Sequence, residues 1–406
     1  MLATLVSGRM LVATIMGFAS GLPLLLTISV LQAWMHEEGV DLGTIGLFVL
    51  VGLPYTFKFV WAPFLDRYTL PLLGRRRGWL LLAQLFLIGS IVFLAGSDPG
   101  VDPAMTAFAA LLLTFFSATQ DIVVDAYRRE SLADDEQGSG AALYFGGYRV
   151  GMLLASGGGL ILADFVPFPT VYLIMAAIML IGVVTTILAP EPPEPEGTPT
   201  TLAEAVIEPL VDYFKRHGAV LMLLFIVLYK VGDMMASIMT TPFYLDMGFS
   251  KAEIGAIVKL FGFMAIPIGS VLGAVLILRL GLYRSLWGFG ILQAVSTAGF
   301  ALLAQVGYSL AWLAAVIAFE NFTMAMGTAA LLAFMANLTN KRFTAAQFAL
   351  LSALSSVPRT ILAAPSGFMA DSMGWFYFFS FCALVAIPGL LLLTRFRSWL
   401  EEEGNV

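Results

Sequence analysis

Long apolar segments recur from one end of this 406-residue chain to the other. A bilayer core of about 30 Å needs roughly 20 helical residues to cross it. Because lipid cannot hydrogen-bond a free backbone, an apolar window of that length favours an α-helix. The sequence predicts an all-α integral membrane protein with twelve transmembrane helices, at residues 10–33, 43–65, 78–96, 104–127, 140–163, 168–189, 218–245, 252–278, 285–305, 309–336, 344–370 and 374–394.

The composition argues against a soluble protein and against an enzyme. Hydrophobic residues make up 59% of the chain and charged residues 12%, whereas about 25% of a soluble domain is charged. Cys382 is the single cysteine, and His36 and His217 both lie near segment ends. No phosphate-binding loop of the ATPase type is present. We therefore expect no enzymatic activity, no metal, no cofactor and no nucleic-acid partner.

Basic residues are distributed unevenly between the two sides of the predicted spans. Cytoplasmic loops of membrane proteins carry the excess of Lys and Arg, so both termini are predicted to lie in the cytoplasm. Lys251 is the single basic residue that this topology leaves in an outer loop. The inner loops and tails would hold Arg9, Arg67, Arg75, Arg76, Arg77, Arg128, Arg129, Lys215, Arg216, Arg279, Arg284, Lys341, Arg342, Arg395 and Arg397.

A proline- and glutamate-rich segment, residues 190–197, follows the sixth span. Beyond it, apolar residues recur every fourth position from Leu202 to Phe214, which suits either an amphipathic surface helix or a plain linker. The chain thus divides into a six-span half (1–190), a cytoplasmic linker (191–217) and a second half with a short tail (218–406). Two parallel six-span halves are the plan of the major facilitator superfamily.

Nine charged residues lie inside the apolar windows. A charge at the bilayer centre costs about 3 kcal/mol on insertion scales, so it usually faces a protein interior or a wet cavity. Charges in both halves therefore predict a polar pathway and a transport function. They are Lys58, Asp121, Asp125, Arg149, Lys230, Asp233, Lys259, Glu320 and Arg359.

Several motifs resemble those of AmpG-type muropeptide permeases within that superfamily. They include Val51-Gly52-Leu53-Pro54-Tyr55, Lys58-Phe59-Val60-Trp61-Ala62-Pro63, Ala118-Thr119-Gln120-Asp121-Ile122-Val123-Val124-Asp125, Tyr229-Lys230-Val231-Gly232-Asp233 and Glu320-Asn321-Phe322.

The resemblance implies a monomeric permease of the bacterial inner membrane. Its cargo would be N-acetylglucosamine linked to anhydro-N-acetylmuramic acid, with or without peptide, and its energy source the proton gradient. Such import supports peptidoglycan recycling and, through it, β-lactamase induction. Acetyl-coenzyme A transporters are distant relatives, so another facilitator for a small anionic solute is the alternative.

A muropeptide needs cations for its carboxylates, amides for its hydroxyls and an aromatic ring for a sugar face. Arg359 and Lys230 lie deep in their spans and suit carboxylates, although either could instead form an ion pair with Asp233 or Glu320. Arg149 is the repeat counterpart of Arg359. Trp34 could stack on a sugar or anchor the span at the interface. The remaining predicted substrate residues are Gln32, Gln120 and Asn321.

Other charged residues are assigned to proton coupling and gating. A proton carrier needs a carboxyl whose charged form is disfavoured by burial, and Asp121, Asp233 and Glu320 are deep enough to qualify. The sequence does not rank these three. Asp66 and Arg67 occupy a loop that resembles the cytoplasmic signature of the superfamily. We interpret them as gating residues, together with Lys58, Asp125 and Arg128.

Overall fold

The computed structural model of the chain describes residues 7–70, 73–132, 137–193, 214–215, 218–338, 351 and 358–396. Within these ranges a few side chains, among them those of Asp66, Arg67 and Arg359, are not described. The predicted amphipathic segment that begins at Leu202 and much of the predicted 344–370 span also lie outside the described residues.

Helices dominate the described residues, as predicted. Nine of those described are long and apolar enough to cross a membrane, whereas the helices that begin at Leu42, Gln137 and Ser366 are shorter or interrupted. The count of twelve stays a prediction. The helices are α1 (Gly8–Glu37), α2 (Leu42–Phe57), α3 (Arg75–Ala95), α4 (Pro103–Ser131), α5 (Gln137–Leu153, continued by Leu154–Gly158 and Gly159–Ala163), α6 (Phe168–Leu188), α7 (Ala219–Asp246), α8 (Lys251–Leu280), α9 (Leu282–Val306), α10 (Leu310–Asn337), α11 (Ser366–Met373) and α12 (Trp375–Phe396).

The chain forms two compact units. Unit 1 contains the described residues of 1–41, 50–196 and 250–256, and unit 2 those of 42–49, 197–249 and 257–406. Each unit therefore includes a short segment from the other half of the sequence. The first turns of α8 belong to unit 1, and the first residues of α2 belong to unit 2.

Glycines let α1 and α5 approach closely in unit 1. Gly17 and Gly21 of α1 lie against the carbonyl groups of Tyr144 and Tyr148 in α5. In return, Gly147 and Gly151 of α5 lie against the backbone of α1, including the carbonyl of Thr14 for Gly147 and that of Phe18 for Gly151. Small residues four apart on both helices are a common way to bring two membrane helices into backbone contact. The interface is reciprocal and leaves no room for a Cβ at these positions.

A π-helical turn interrupts α1 at Leu26–Val30. It follows Pro23, whose ring removes a backbone donor and disturbs the α-helical hydrogen bonds before it. The hydroxyl of Tyr172, on α6, donates to the carbonyl oxygen of Leu26 at 2.8 Å, so this side chain satisfies a backbone group in the irregular turn. The turn packs against a second π-helical turn, Leu154–Gly158, in α5.

Unit 2 has an aromatic core at one end of its helices. Phe225 of α7 and Phe334 of α10 meet edge to face with ring centroids 4.9 Å apart, and Phe396 packs on both. All three are buried, as is Phe289 of α9. This core fixes the ends of four helices, which in turn sets the positions of polar residues farther along them.

Candidate functional site

Three charged residues meet in the interior of unit 2. Lys230 and Asp233 lie three residues apart on α7, and the Lys230 Nζ is 3.2 Å from the Asp233 Oδ2. Their exposed fractions are 4% and 8%. Glu320 of α10 lies beside Asp233 and the Ser296 hydroxyl, and it also interacts with the charge of Lys230. The Lys230 ammonium is thus held by a carboxylate of its own helix.

A second charged cluster lies in unit 1. Asp121 is buried in α4 and interacts with the charge of Lys58 and with Asp125 one turn farther along. Asp125 is more accessible, with 49% of its side chain exposed, and its Oδ1 lies 3.8 Å from the Arg128 Nη2. Two predicted gating residues, Lys58 and Asp125, are therefore neighbours of the predicted coupling residue Asp121, and Arg128 is a neighbour of Asp125.

Tyr144 joins this second cluster from α5, and neither its charge nor a motif marks it in the sequence. Its buried ring lies under the Arg128 guanidinium, 5.2 Å from ring centroid to Cζ, which is within cation–π range. It also interacts with Asp121 and Asp125. Its position two residues before the Gly146-Gly147 pair of α5 is the one feature that could have indicated close contact with α1.

The two predicted amide residues have different surroundings. Gln120 is completely buried, and its Nε2 donates to the Ala19 carbonyl oxygen of α1 at 3.1 Å. That hydrogen bond ties α4 to the backbone of α1. Asn321 is half-buried on α10 and lies close to Gly262 of α8.

Gln32 and Trp34 both lie in the interior of unit 1, with exposed fractions of 4% and 3%. The Trp34 ring stacks on Phe168, with centroids 6.0 Å apart and planes inclined by 15°. It also contacts Tyr172, and its Nε1 donates to Glu38 Oε1 at 3.3 Å. One face of this indole is therefore covered by another ring of the same unit.

The remaining predicted residues lie on other segments of the chain. Arg149 is exposed on α5. Arg359 lies in a π-helical turn, Pro358–Leu362, that precedes α11, and its side chain is outside the described residues. The same holds for the side chains of Asp66 and Arg67, which end the short helix Ala62–Arg67.

The arginine cluster that starts α3 binds within unit 1. Arg75 and Arg76 donate to the Glu130 carboxylate at the end of α4, with closest N–O distances of 2.6 and 2.7 Å. Arg77 donates to the Thr186 carbonyl oxygen at the end of α6 at 2.9 Å, which places a cation at a helix C-terminus. Three helix ends are thereby joined at one end of unit 1.

Glu191 completes this network, although the sequence placed it only in a polar linker. Its two carboxylate oxygens accept the backbone N–H groups of Arg76 and Arg77, at 2.7 and 3.1 Å. These are donors that an α-helix leaves free at its first turn, so Glu191 caps α3 from outside. A capping acid more than 100 residues away in sequence has no local signal.

Acidic residues surround Lys251 at the opposite end of unit 1. Its Nζ lies 2.5 Å from Glu37 Oε2 and 4.0 Å from Asp164 Oδ1, and it sits over the Phe168 ring. The Asp164 Oδ2 accepts the Ala252 backbone N–H at 2.7 Å. The start of α8 is therefore held to unit 1 by charge and by a helix cap.

Comparison with known proteins identifies the family. A model of the Major Facilitator Superfamily matches residues 10–363. The chain belongs to the Major Facilitator Superfamily. The predicted membership is confirmed, and with it the expectation of a transporter and not an enzyme. Within the described residues, no group of three or more His, Cys, Asp or Glu side chains is arranged to hold a metal ion.

Individual relatives confirm the resemblance to AmpG-type permeases. The chain is 45% identical to the anhydromuropeptide permease of Escherichia coli strain K12 over 97% of this chain and 80% of that protein. It is 34% identical to a Rickettsia conorii transporter named AmpG 4, over 97% of this chain and 96% of that protein. Among solved structures it is similar in fold to the nucleoside transporter NupG, with a TM-score of 0.73 at 12% identity, over 96% of this chain and 99% of the other.

Proposed function

We propose that this protein imports anhydromuropeptides from the periplasm to the cytoplasm across the bacterial inner membrane, by alternating access and with the proton gradient as its driving force. The observation that carries the proposal is the 45% identity with a permease named for that cargo over nearly the whole chain. Import of these cell-wall fragments would supply peptidoglycan recycling and, through it, β-lactamase induction. The basic-residue asymmetry supports cytoplasmic termini.

Several of the proposed substrate residues also make contacts within their own unit. Lys230 is paired with Asp233, Gln120 is bonded to α1, and the Trp34 ring is stacked on Phe168. Gln32 is buried in the same interior as Trp34. We propose that Arg149, Asn321 and Arg359 meet the cargo together with these four residues.

Uptake by purified protein in proteoliposomes tests the function. With an inward proton gradient, we expect labelled anhydromuropeptide to accumulate against its concentration gradient, because proton entry drives the cycle. Unlabelled anhydromuropeptide should compete, and acetyl-coenzyme A should not. Uptake of labelled acetyl-coenzyme A without uptake of muropeptide would contradict the proposal and favour the related facilitator class.

Arg149 allows a test of cargo recognition. Its guanidinium can bind a carboxylate with two parallel hydrogen bonds, which a lysine ammonium cannot reproduce. Hydrogen bonds to charged groups contribute about 1.5–3 kcal/mol, so Arg149→Ala should lower muropeptide uptake about tenfold or more at low substrate concentration. Arg149→Lys should also be impaired.

The matched control for this variant is Arg279→Ala, which removes another exposed arginine from the last turns of α8. Its uptake should equal that of the unmodified protein, and both variants should accumulate normally in the membrane. Equal uptake by Arg149→Ala and the unmodified protein would remove Arg149 from the proposed site.

A further inference from the structure

The charged clusters of the two units differ in their balance. In unit 1, two acids, Asp121 and Asp125, are accompanied by two cations, Lys58 and Arg128. In unit 2, Asp233 and Glu320 share a single described cation, Lys230. If both carboxyls were ionised, these three described groups would carry one net negative charge.

The geometry of unit 2 makes that excess charge costly. Two carboxylates side by side in a buried site cannot both ionise without strong repulsion. The Lys230 ammonium is committed to the Asp233 Oδ2. The Glu320 Oε2 is buried and has no hydrogen-bond partner among the described residues. An anionic oxygen in that position would lack a donor, whereas a protonated carboxyl could donate to its neighbour.

The other titratable groups near Asp233 and Glu320 supply no positive charge that would balance the two carboxylates. Tyr229 and Cys382 face Asp233, and Tyr244 faces Glu320. Tyrosine and cysteine side chains carry no positive charge in either protonation state. Among the described residues, Lys230 is therefore the cation available to the pair.

A small cavity reaches Asp233 from the side of α9. It has a volume of about 10 Å³, and Asp233, Gln293, Thr297 and Cys382 are among its lining residues. The amide of Gln293 is buried, and neither its Nε2 nor its Oε1 has a hydrogen-bond partner among the described residues. The cavity is about large enough for one water molecule, and a buried water needs two to four polar partners. Gln293 and Asp233 supply them.

We propose that Asp233 and Glu320 together hold a single coupling proton in unit 2, and that Gln293 positions a water molecule that connects Asp233 to the proton path. This inference rests on the proposed function. When the proton is bound, the protonated Glu320 carboxyl donates a hydrogen bond to Asp233, and the Lys230 ammonium neutralises the Asp233 carboxylate. When it leaves as hydronium to water, two carboxylates face one ammonium, a state that unit 2 tolerates only while water reaches the pair.

Two activities measured in the same proteoliposomes test whether Asp233 and Glu320 hold the coupling proton. Glu320→Gln should abolish uphill accumulation of anhydromuropeptide and substrate-driven proton entry, because the neutral amide cannot release a proton. It should retain exchange of labelled for unlabelled substrate, which requires no net proton movement. Asp371→Asn, at an exposed acid of α11, should retain proton entry. Proton entry in Glu320→Gln would overturn the assignment.

The controls separate this inference from the function on which it rests. Absence of muropeptide uptake by the unmodified protein would contradict the proposed function, whereas uptake without proton entry would contradict coupling. If Glu320→Gln does not accumulate in the membrane, infrared spectra of Asp121→Asn protein answer the question. A protonated-carboxyl band should be present at neutral pH, and its absence would overturn the proposal.

Gln293 requires a readout that a purely structural role would not change. Gln293→Met fills similar space without donors or acceptors, so we expect a displaced pH profile of uptake with substrate exchange intact. Gln293→Asn keeps the amide and should move the profile back toward that of the unmodified protein. An unchanged profile in Gln293→Met would remove Gln293 and its water from the path.

Discussion

Replacing Gly147 with alanine should weaken the protein far more than the same change at the adjacent Gly146. A Cβ at Gly147 would overlap the Thr14 carbonyl of α1, whereas one at Gly146 meets nothing within 4 Å. Overpacking of this kind typically costs about 1–3 kcal/mol, and backbone atoms of a packed helix cannot move aside as a flexible side chain can. Gly147→Leu should yield no folded protein.

Thermal unfolding in detergent measures the difference. We expect Gly147→Ala to lower the melting temperature by about 5 °C, given a shift of about 2–4 °C per kcal/mol in medium-sized domains. Gly146→Ala should change it by about 1 °C or less, since alanine is also the better helix former. Equal shifts for the two variants would show that α1 and α5 are not in backbone contact there.

The second large effect is expected at Glu130. Its removal in Glu130→Ala leaves the Arg76 guanidinium, which is 4% exposed, without its carboxylate. Breaking a buried ion pair by deleting one partner costs about 3–5 kcal/mol because the other charge remains buried. We therefore expect a loss of folded protein at physiological temperature and a loss of uptake with it.

A double variant distinguishes an ion pair from simple loss of packing. Replacing both partners, as in Arg76→Met with Glu130→Met, should recover part of the stability, because the buried Arg76 charge is removed and only the more exposed Arg75 loses its carboxylate. Asp371→Ala, at an exposed acid of α11, serves as the control and should behave like the unmodified protein. A double variant as unstable as Glu130→Ala would mean that the charges are not coupled.

Local spacing and hydropathy account for what could be predicted here. The bilayer forces spanning segments into helices, so the apolar windows alone indicated the helical elements. The spacing of three between Lys230 and Asp233 likewise placed both on one helix face, and their charged atoms lie 3.2 Å apart. Such inferences need only the geometry of one helix.

Contacts between distant segments could not be predicted in the same way. Glu320 lies beside Asp233 because α10 packs in unit 2 with that register, and nothing in either local sequence specifies it. Glu191 was assigned to a linker on composition, yet its carboxylate caps the first turn of α3. The sequence allowed Trp34 to be either a sugar-stacking residue or an interfacial anchor. That its ring stacks on Phe168 could be seen only in the structure.

The membership of residues 250–256 in unit 1 has a consequence for biosynthesis. Because the ribosome synthesises the chain from its amino terminus, these residues emerge only after the whole of α7 has been made. Until then, Glu37 and Asp164 lack the Lys251 ammonium that lies between them in the finished fold. Unit 1 therefore cannot finish folding as a nascent chain before synthesis of the second half has begun.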